Sequence, residues 1–252
     1  MIILISKKKI LELAKINNLK PTQQERHYLQ NLILILLGNY NIIFKGGTYL
    51  WFCHNLNRFS EDLDFAANGP IDEKLVTELL SILKSRGVNV RINDITNTPI
   101  TLSFKLGIAG PLFNDNDRSR CFLWIEISKR ENLSLKPNVY DIYFPYYDLE
   151  SKIIRGMDLN EVFAEKVRDL LTREKARDIY DLYFLIKYKN IVPDYALINK
   201  KFELYNSIFN KTDLNKILKS REELYKTDLK GLIFTKLPEF KEVYETIISV
   251  FK

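Results

Sequence analysis

Asp62 and Asp64 flank a single leucine in a run that continues Phe65-Ala66 and reads as a β-strand. Alternate side chains of a strand share a face, so both carboxylates point one way while Leu63 and Phe65 point into a core. Two neighbouring carboxylates repel unless a positive charge lies between them. A hard divalent cation answers that need, and magnesium typically takes one or two carboxylates together with substrate phosphates. A solvated acidic strand end would show the same two residues, so a second feature has to support the chemistry.

That feature lies upstream. Asn41-Ile42-Ile43-Phe44 reads as a short buried strand, Lys45-Gly46-Gly47-Thr48 as a turn, and Tyr49 to Asn55 as a helix. Glycines let backbone approach a phosphate closely, and a helix start presents N–H groups and favours negative charge. The spacing is not that of a Walker A loop. A phosphate turn and a metal pair separated by one helix make one device: the first holds a triphosphate tail and the second its magnesium, or manganese.

Glu126 sits among large apolar residues in the strand pattern Leu123-Trp124-Ile125-Glu126-Ile127-Ser128. A glutamate there is costly unless paired or metal-bound. It completes the metal site, serves as the base for an attacking hydroxyl, or faces water from an antiparallel sheet. Further on, Asp178 and Asp181 are three apart and share a helix face, and Arg177 precedes Asp181 by four, the spacing of an ion pair. Lys166, Arg173 and Arg177 would form a cationic stripe toward phosphates if one helix ran through all three. A charged helix face is otherwise simply solvated.

The elements that position these groups follow from periodicity. Residues 6–17 predict a helix with Ile10, Leu13 and Ala14 on one face. A second helix starts at Pro21, with Thr22 and Glu25 as a capping box, and Gly38 stops it. Residues 72–86 predict an amphipathic helix on Leu75, Leu79, Leu80 and Leu83, stopped by Gly87. Strands are expected at 88–95, 100–108 and 121–128, with a turn-rich Asn114–Arg120 between the last two. From Leu159 the pattern is helical. The expected class is α+β, with a nucleotide-binding core plus N-terminal helices over 1–150 and a helical C-terminal domain over 151–252. The boundary falls in the Pro- and Tyr-rich stretch 137–158.

The chain has 252 residues, 46% hydrophobic and 28% charged, enough for a sizeable core and unlike a disordered chain. Net charge is +6, from 38 basic and 32 acidic residues, which suits a polyanionic partner without requiring one. The two cysteines, Cys53 and Cys121, form no Cys-x-x-Cys pair, which argues against structural zinc and for reduced thiols. His54 reads as a packed or surface residue. The apolar N-terminal run is short and is followed, not preceded, by its lysines, unlike a signal peptide. Leu32–Leu37, the longest apolar run, is far below membrane-spanning length. The expected location is the cytoplasm.

Three blocks in order resemble the AbiEii/AbiGii toxin family: Phe44-Lys45-Gly46-Gly47-Thr48-x-Leu50; Arg58-Phe59-Ser60-Glu61-Asp62-Leu63-Asp64-Phe65; and Ala164-Glu165-Lys166 with Arg173…Arg177-Asp178-x-Tyr180-Asp181-Leu182. These are nucleotidyltransferase-like proteins of type IV toxin–antitoxin and abortive-infection systems, related to the MenT toxins. The resemblance covers about residues 40–190. It implies a DNA polymerase β-like nucleotidyltransferase core, a mixed sheet with flanking helices, followed by a helical part. It implies transfer of an NMP from an NTP, for MenT-type relatives to the 3′ end of tRNA, opposed by a cognate antitoxin protein. Carried over, Gly46, Gly47 and Thr48 bind the phosphate tail beside Lys45, and Asp62 and Asp64 bind metal. Lys166 matches the lysine of the third motif and is expected to neutralise charge on the triphosphate; Asp181, or Asp178, matches the catalytic aspartate of the fourth, expected to orient Lys166 or the acceptor hydroxyl. Ser60 and Arg58 match the stretch before the metal pair. Fourteen residues separate Gly47 from Asp62, more than is usual in the wider superfamily, and no motif fixes the third carboxylate.

Other readings share this logic. The acceptor could be a protein hydroxyl or, as in aminoglycoside-type enzymes, a small molecule. A different class is an RNA- or antitoxin-binding module with an inert nucleotide site. The choice of NTP and the oligomeric state are not encoded in any short motif.

Overall fold

A computed structural model describes residues 4–130 and 133–251. The first three residues of the apolar N-terminal run, weighed above as a leader, lie outside them. Internal contacts divide the chain into two compact units. The first takes the described residues of Met1–His54, Ser60–Asn132 and Pro137–Gly156; the second takes those of Asn55–Phe59, Leu133–Lys136 and Met157–Lys252.

The first unit opens with helices α1 (Lys7–Ile16) and α2 (Pro21–Leu37). Ile10, Leu13 and Ala14 are buried as their spacing demands. The capping box expected at Thr22 and Glu25 does not form. Pro21, whose fixed φ suits the first helical position, starts α2 as expected, so the N-cap is Lys20, two residues before Thr22. The Lys20 N–H donates to Gln23 Oε1 at 3.0 Å. Glu25 is instead buried and accepts the Leu112 N–H at 2.6 Å.

Strands β1 (Ile42–Lys45), β2 (Leu63–Ala67), β3 (Val90–Asn97), β4 (Thr101–Ile108), β5 (Cys121–Ser128), β6 (Asn138–Ile142) and β7 (Lys152–Gly156) form one mixed sheet ordered β3-β4-β5-β2-β1-β7-β6. Helix α3 (Gly46–His54) follows β1 directly, and α4 (Lys74–Ser85) links β2 to β3. The pairs β1/β7 and β2/β5 are parallel and the others antiparallel. Strands β6 and β7 lie in the stretch expected to be only a boundary. They are short, and their alternation is interrupted by the polar and aromatic residues of the connecting turn. Gly156 lets β7 close against its neighbours, since a Cβ there would overlap the Tyr49 and Tyr140 rings.

Register separates the two faces of this sheet. Phe44, Phe65, Ile127 and Leu102 stand abreast on β1, β2, β5 and β4, and all four are buried. One residue along, Lys45, Asp64, Glu126 and Ser103 stand abreast on the opposite face.

The second unit holds α5 (Leu159–Thr172), α6 (Ala176–Lys189), α7 (Tyr195–Glu203), α8 (Lys211–Ser220), α9 (Glu222–Asp228) and α10 (Phe240–Val250). Its core includes Val167, Leu170, Ile179, Leu182, Leu218 and Ile247, all buried, with Phe163 stacked on Phe251 at 6.0 Å. Helix α5 ends at Thr172 and α6 starts at Ala176, so the continuous helix needed for a Lys166–Arg173–Arg177 stripe is absent. The whole is an α+β chain, a mixed-sheet core followed by a helical part. Among the described residues no helix is long and apolar enough to cross a membrane.

Candidate nucleotidyl-transfer site

The strand–turn–helix unit β1–α3 places the glycine turn against the aspartate strand. Gly46 has φ +76°, in the left-handed region that favours glycine, and α3 begins there. A Cβ on Gly46 would overlap Asp64 Oδ2 and stand 3.0 Å from Asp64 Cβ and Cγ. Asp64 therefore lies directly on the turn, which explains in steric terms why a glycine is needed at this position.

Thr48, in the first turn of α3, donates its hydroxyl to the Asp62 carbonyl. The start of α3 is thereby tied to the backbone that carries Asp62. Leu63 and Phe65 are buried while Asp62 and Asp64 are half-exposed, as strand alternation requires. Glu126 is also half-exposed and is abreast of Asp64 in the parallel β2/β5 pair, not on a sheet margin. Lys45 is buried and opposite Asp64 across β1/β2, so a cation shares the face of the carboxylates.

Two residues of α2 that no motif singled out hold the approach to Asp62. Gln30 Nε2 donates to the Ser60 carbonyl at 3.2 Å, and Arg26 Nη1 pairs with Glu61 Oε1 at 2.7 Å. They are four apart, on one helix face. Their spacing was visible in sequence, but their partner segment was not.

In the second unit the candidate residues form a buried charge network. Lys166 Nζ, on α5, lies 2.9 Å from Asp178 Oδ1 and 2.7 Å from Asp181 Oδ2, both on α6. Arg58 grips Asp181 with two bonds, Nε to Oδ1 and Nη2 to Oδ2, each 2.7 Å, and its Nη1 donates to the Phe59 carbonyl at 3.0 Å. Arg173 grips Asp178 in the same way, at 2.8 and 2.9 Å. Asp181 thus takes Arg58 and Lys166, not the Arg177 that its spacing suggested. Burial works to raise both aspartate pKa values, but Arg58 and Lys166 hold Asp181, and Lys166 and Arg173 hold Asp178, below the usual carboxylate range. Burial likewise works against the Lys166 ammonium, and the two aspartates outweigh it and raise its pKa.

His54 is buried edge-on to Tyr49 and Tyr140. Cys53 and Cys121 are free thiols, and burial pushes both up to about 12.

Among the described residues, no three His, Cys, Asp or Glu side chains converge closely enough to hold an ion alone. The donor set on the sheet face is all carboxylate oxygen. This suits a hard ion that completes its shell with substrate phosphate oxygens, as magnesium does.

The sequence matches the model of the "Nucleotidyl transferase AbiEii toxin, Type IV TA system" family over residues 28–246. The chain belongs to the AbiEii nucleotidyltransferase toxin family. Its fold is similar to that of MenT4, a nucleotidyltransferase toxin from Mycobacterium tuberculosis, with TM-score 0.68, 18% identity, and 98% of this chain and 88% of that one covered. It is also similar to JHP933 from Helicobacter pylori, with TM-score 0.56, 22% identity, and 92% and 91% covered. No curated protein matches it significantly in sequence. Within the AbiEii match fall the glycine turn, the aspartate pair, Glu126 and the Lys166 network.

Proposed function

We propose that this AbiEii-family chain is a cytoplasmic toxin that transfers an NMP from an NTP to the 3′ end of tRNA, opposed by a cognate antitoxin protein. The observation that carries the reading is the packing of Asp64 against the Gly46 turn while Asp64 stands abreast of Glu126.

In this reading Asp62 and Asp64 hold Mg²⁺ or Mn²⁺. The bound ion would supply charge stabilisation for the attacking and leaving oxygens of an in-line displacement at the α-phosphorus. The amides at Gly46 and Gly47, with Lys45 beside them, take the negative charge of the leaving pyrophosphate. Thr48 keeps the Asp62 backbone in place, and Ser60 anchors the segment ahead of it through Gln30. Glu126 is abreast of Asp64 on the side away from Gly46. There it accepts the proton of the attacking hydroxyl or adds a third oxygen ligand. Lys166, Asp178, Asp181 and Arg58 hold the helices and the Asn55–Phe59 strap of their own unit in a fixed arrangement.

The test is incubation with each labelled NTP in turn, with purified tRNA and with cell protein. Label in RNA that lengthens by one or more nucleotides, lost in Asp62→Asn and Asp64→Asn, supports the reading. Full activity in both variants removes the mechanism. Label in protein moves the reading to protein nucleotidylation, and NTP binding without pyrophosphate release to an inert binding module.

A further inference from the structure

The carboxylate face does not end at Glu126. Trp124 and Phe122 precede it at strand spacing and share its face. Across β5/β4, Lys105 stands opposite Trp124 as Ser103 stands opposite Glu126. Leu63 is abreast of Ile125, so the same register carried one residue outward puts Trp124 level with Asp62. Phe122, Trp124 and Lys105 are half-buried, and Lys105 Nζ lies 5.2 Å from the Phe122 ring centroid. Asp94 of β3 is opposite Lys105 and exposed.

Partly open aromatic rings with an ammonium beside them form a surface on which unpaired bases stack while the cation follows the phosphates. Position decides which nucleotide it serves. The glycine turn lies on the β1/α3 side of Asp64, and Trp124 and Lys105 lie on the β5/β4 side. In-line displacement brings the attacking oxygen in opposite the leaving group. With the triphosphate tail at Gly46, the β5/β4 side belongs to the acceptor.

We propose that Trp124, Phe122 and Lys105 form an acceptor platform for a single-stranded RNA end. Its terminal base stacks on Trp124, and Lys105 neutralises the phosphate before it. Asp94 repels phosphate from β3 and confines the strand to β5 and β4. The inference rests on the nucleotidyl-transfer reading and adds the residues that recognise the acceptor.

The experiment uses the full chain carrying Trp51→Phe, so that Trp124 is the one tryptophan of two left to report. Its fluorescence is followed during titration with a single-stranded oligoribonucleotide of ten nucleotides and with the same strand in a duplex. Quenching by the single strand, weaker for the duplex and weakened by salt, is expected. In steady-state transfer, Trp124→Ala should raise the acceptor KM by about tenfold, as expected for loss of one stacked base, and leave the NTP KM in place. Trp124→Phe should restore most of it. Lys105→Ala, at a half-exposed position, should raise the acceptor KM less and flatten its salt dependence. It keeps the test alive if Trp124→Ala folds poorly.

A change in NTP KM alone would assign the ring to the incoming nucleotide and overturn the proposal. So would absent quenching with an unchanged acceptor KM, or label arriving on protein. Asp62→Asn separates the two levels. Retained transfer in that variant sinks the transfer reading, whereas lost transfer with no quenching in the parent sinks the platform alone.

Discussion

Aspartates occur in two settings in this protein. In the helical unit Asp178 and Asp181 are 1% and 0% exposed, and each is gripped by an arginine fork and by Lys166. On the sheet, Asp62, Asp64 and Glu126 are half-exposed, ranged along one face beside a glycine turn. The first pair is neutralised by the protein's own cations, which is the condition for burying charge at all. The second group is half-exposed, on a face it shares with Lys45 and beside a turn suited to phosphate. In the proposed reading, burial and fork geometry, more than motif membership, separate the carboxylates that hold the fold from those assigned to the chemistry.

The sharpest way to break this comparison is to neutralise each group in turn. Asp62→Asn or Asp64→Asn should cut transfer on the order of a thousandfold while leaving the urea midpoint nearly unchanged. A large loss of stability instead would mean that the sheet carboxylates are structural too. Asp181→Ala should do the reverse in a denaturation curve, costing about 3–5 kcal/mol because it leaves Arg58 and Lys166 buried without their shared partner. A cost under about 1 kcal/mol would erase the distinction.

His27 extends the contrast to a buried group whose shift comes from burial itself, which pushes its pKa down to about 3 from an ordinary 6.5. Between those values the unfolded chain binds the extra proton, so stability falls as pH drops through 6.5. From about pH 8 to about pH 5 the loss from this group should be about 2 kcal/mol. Urea curves at both pH values, for the parent and for His27→Gln, read it as the difference between the two proteins. Gly46→Ala should cost about 1–2 kcal/mol for its left-handed backbone and should slow transfer by displacing Asp64. Unaltered transfer would detach the turn from the carboxylate. The smallest effect belongs to an exposed pair: Lys226→Ala, which removes the 2.7 Å contact to Glu222 on α9, should leave the urea midpoint almost unchanged.

Much of the sheet unit was legible in the sequence because its signals are local. Glycine before a helix, alternation around Asp62 and Asp64, and the leucine repeat of α4 each follow from the preference of a few adjacent residues. The setting of Glu126 was open in the sequence because strand neighbours are distant in the chain: Asp64 and Glu126 are abreast only once β5 inserts next to β2. Strands β6 and β7 escaped for a related reason, since what stabilises them is pairing to each other and to β1. Arg58 looked like part of the motif before the metal pair, and nothing local revealed that its fork would close on a residue 123 positions later. The break between α5 and α6 also defeated a periodic reading, because Arg173 to Lys175 carry the same charged composition as the helices on either side.

Strand order adds a dynamic consequence. Strands β1, β2 and β5 are each hydrogen-bonded on both sides, and fraying at β3 or β6 would leave their ladders closed. Their backbone amides should be among the slowest in the sheet to exchange with deuterium. The proposed cradle for the nucleotide would then be stiff before any substrate arrives, and adaptation to different partners would have to come from the margins.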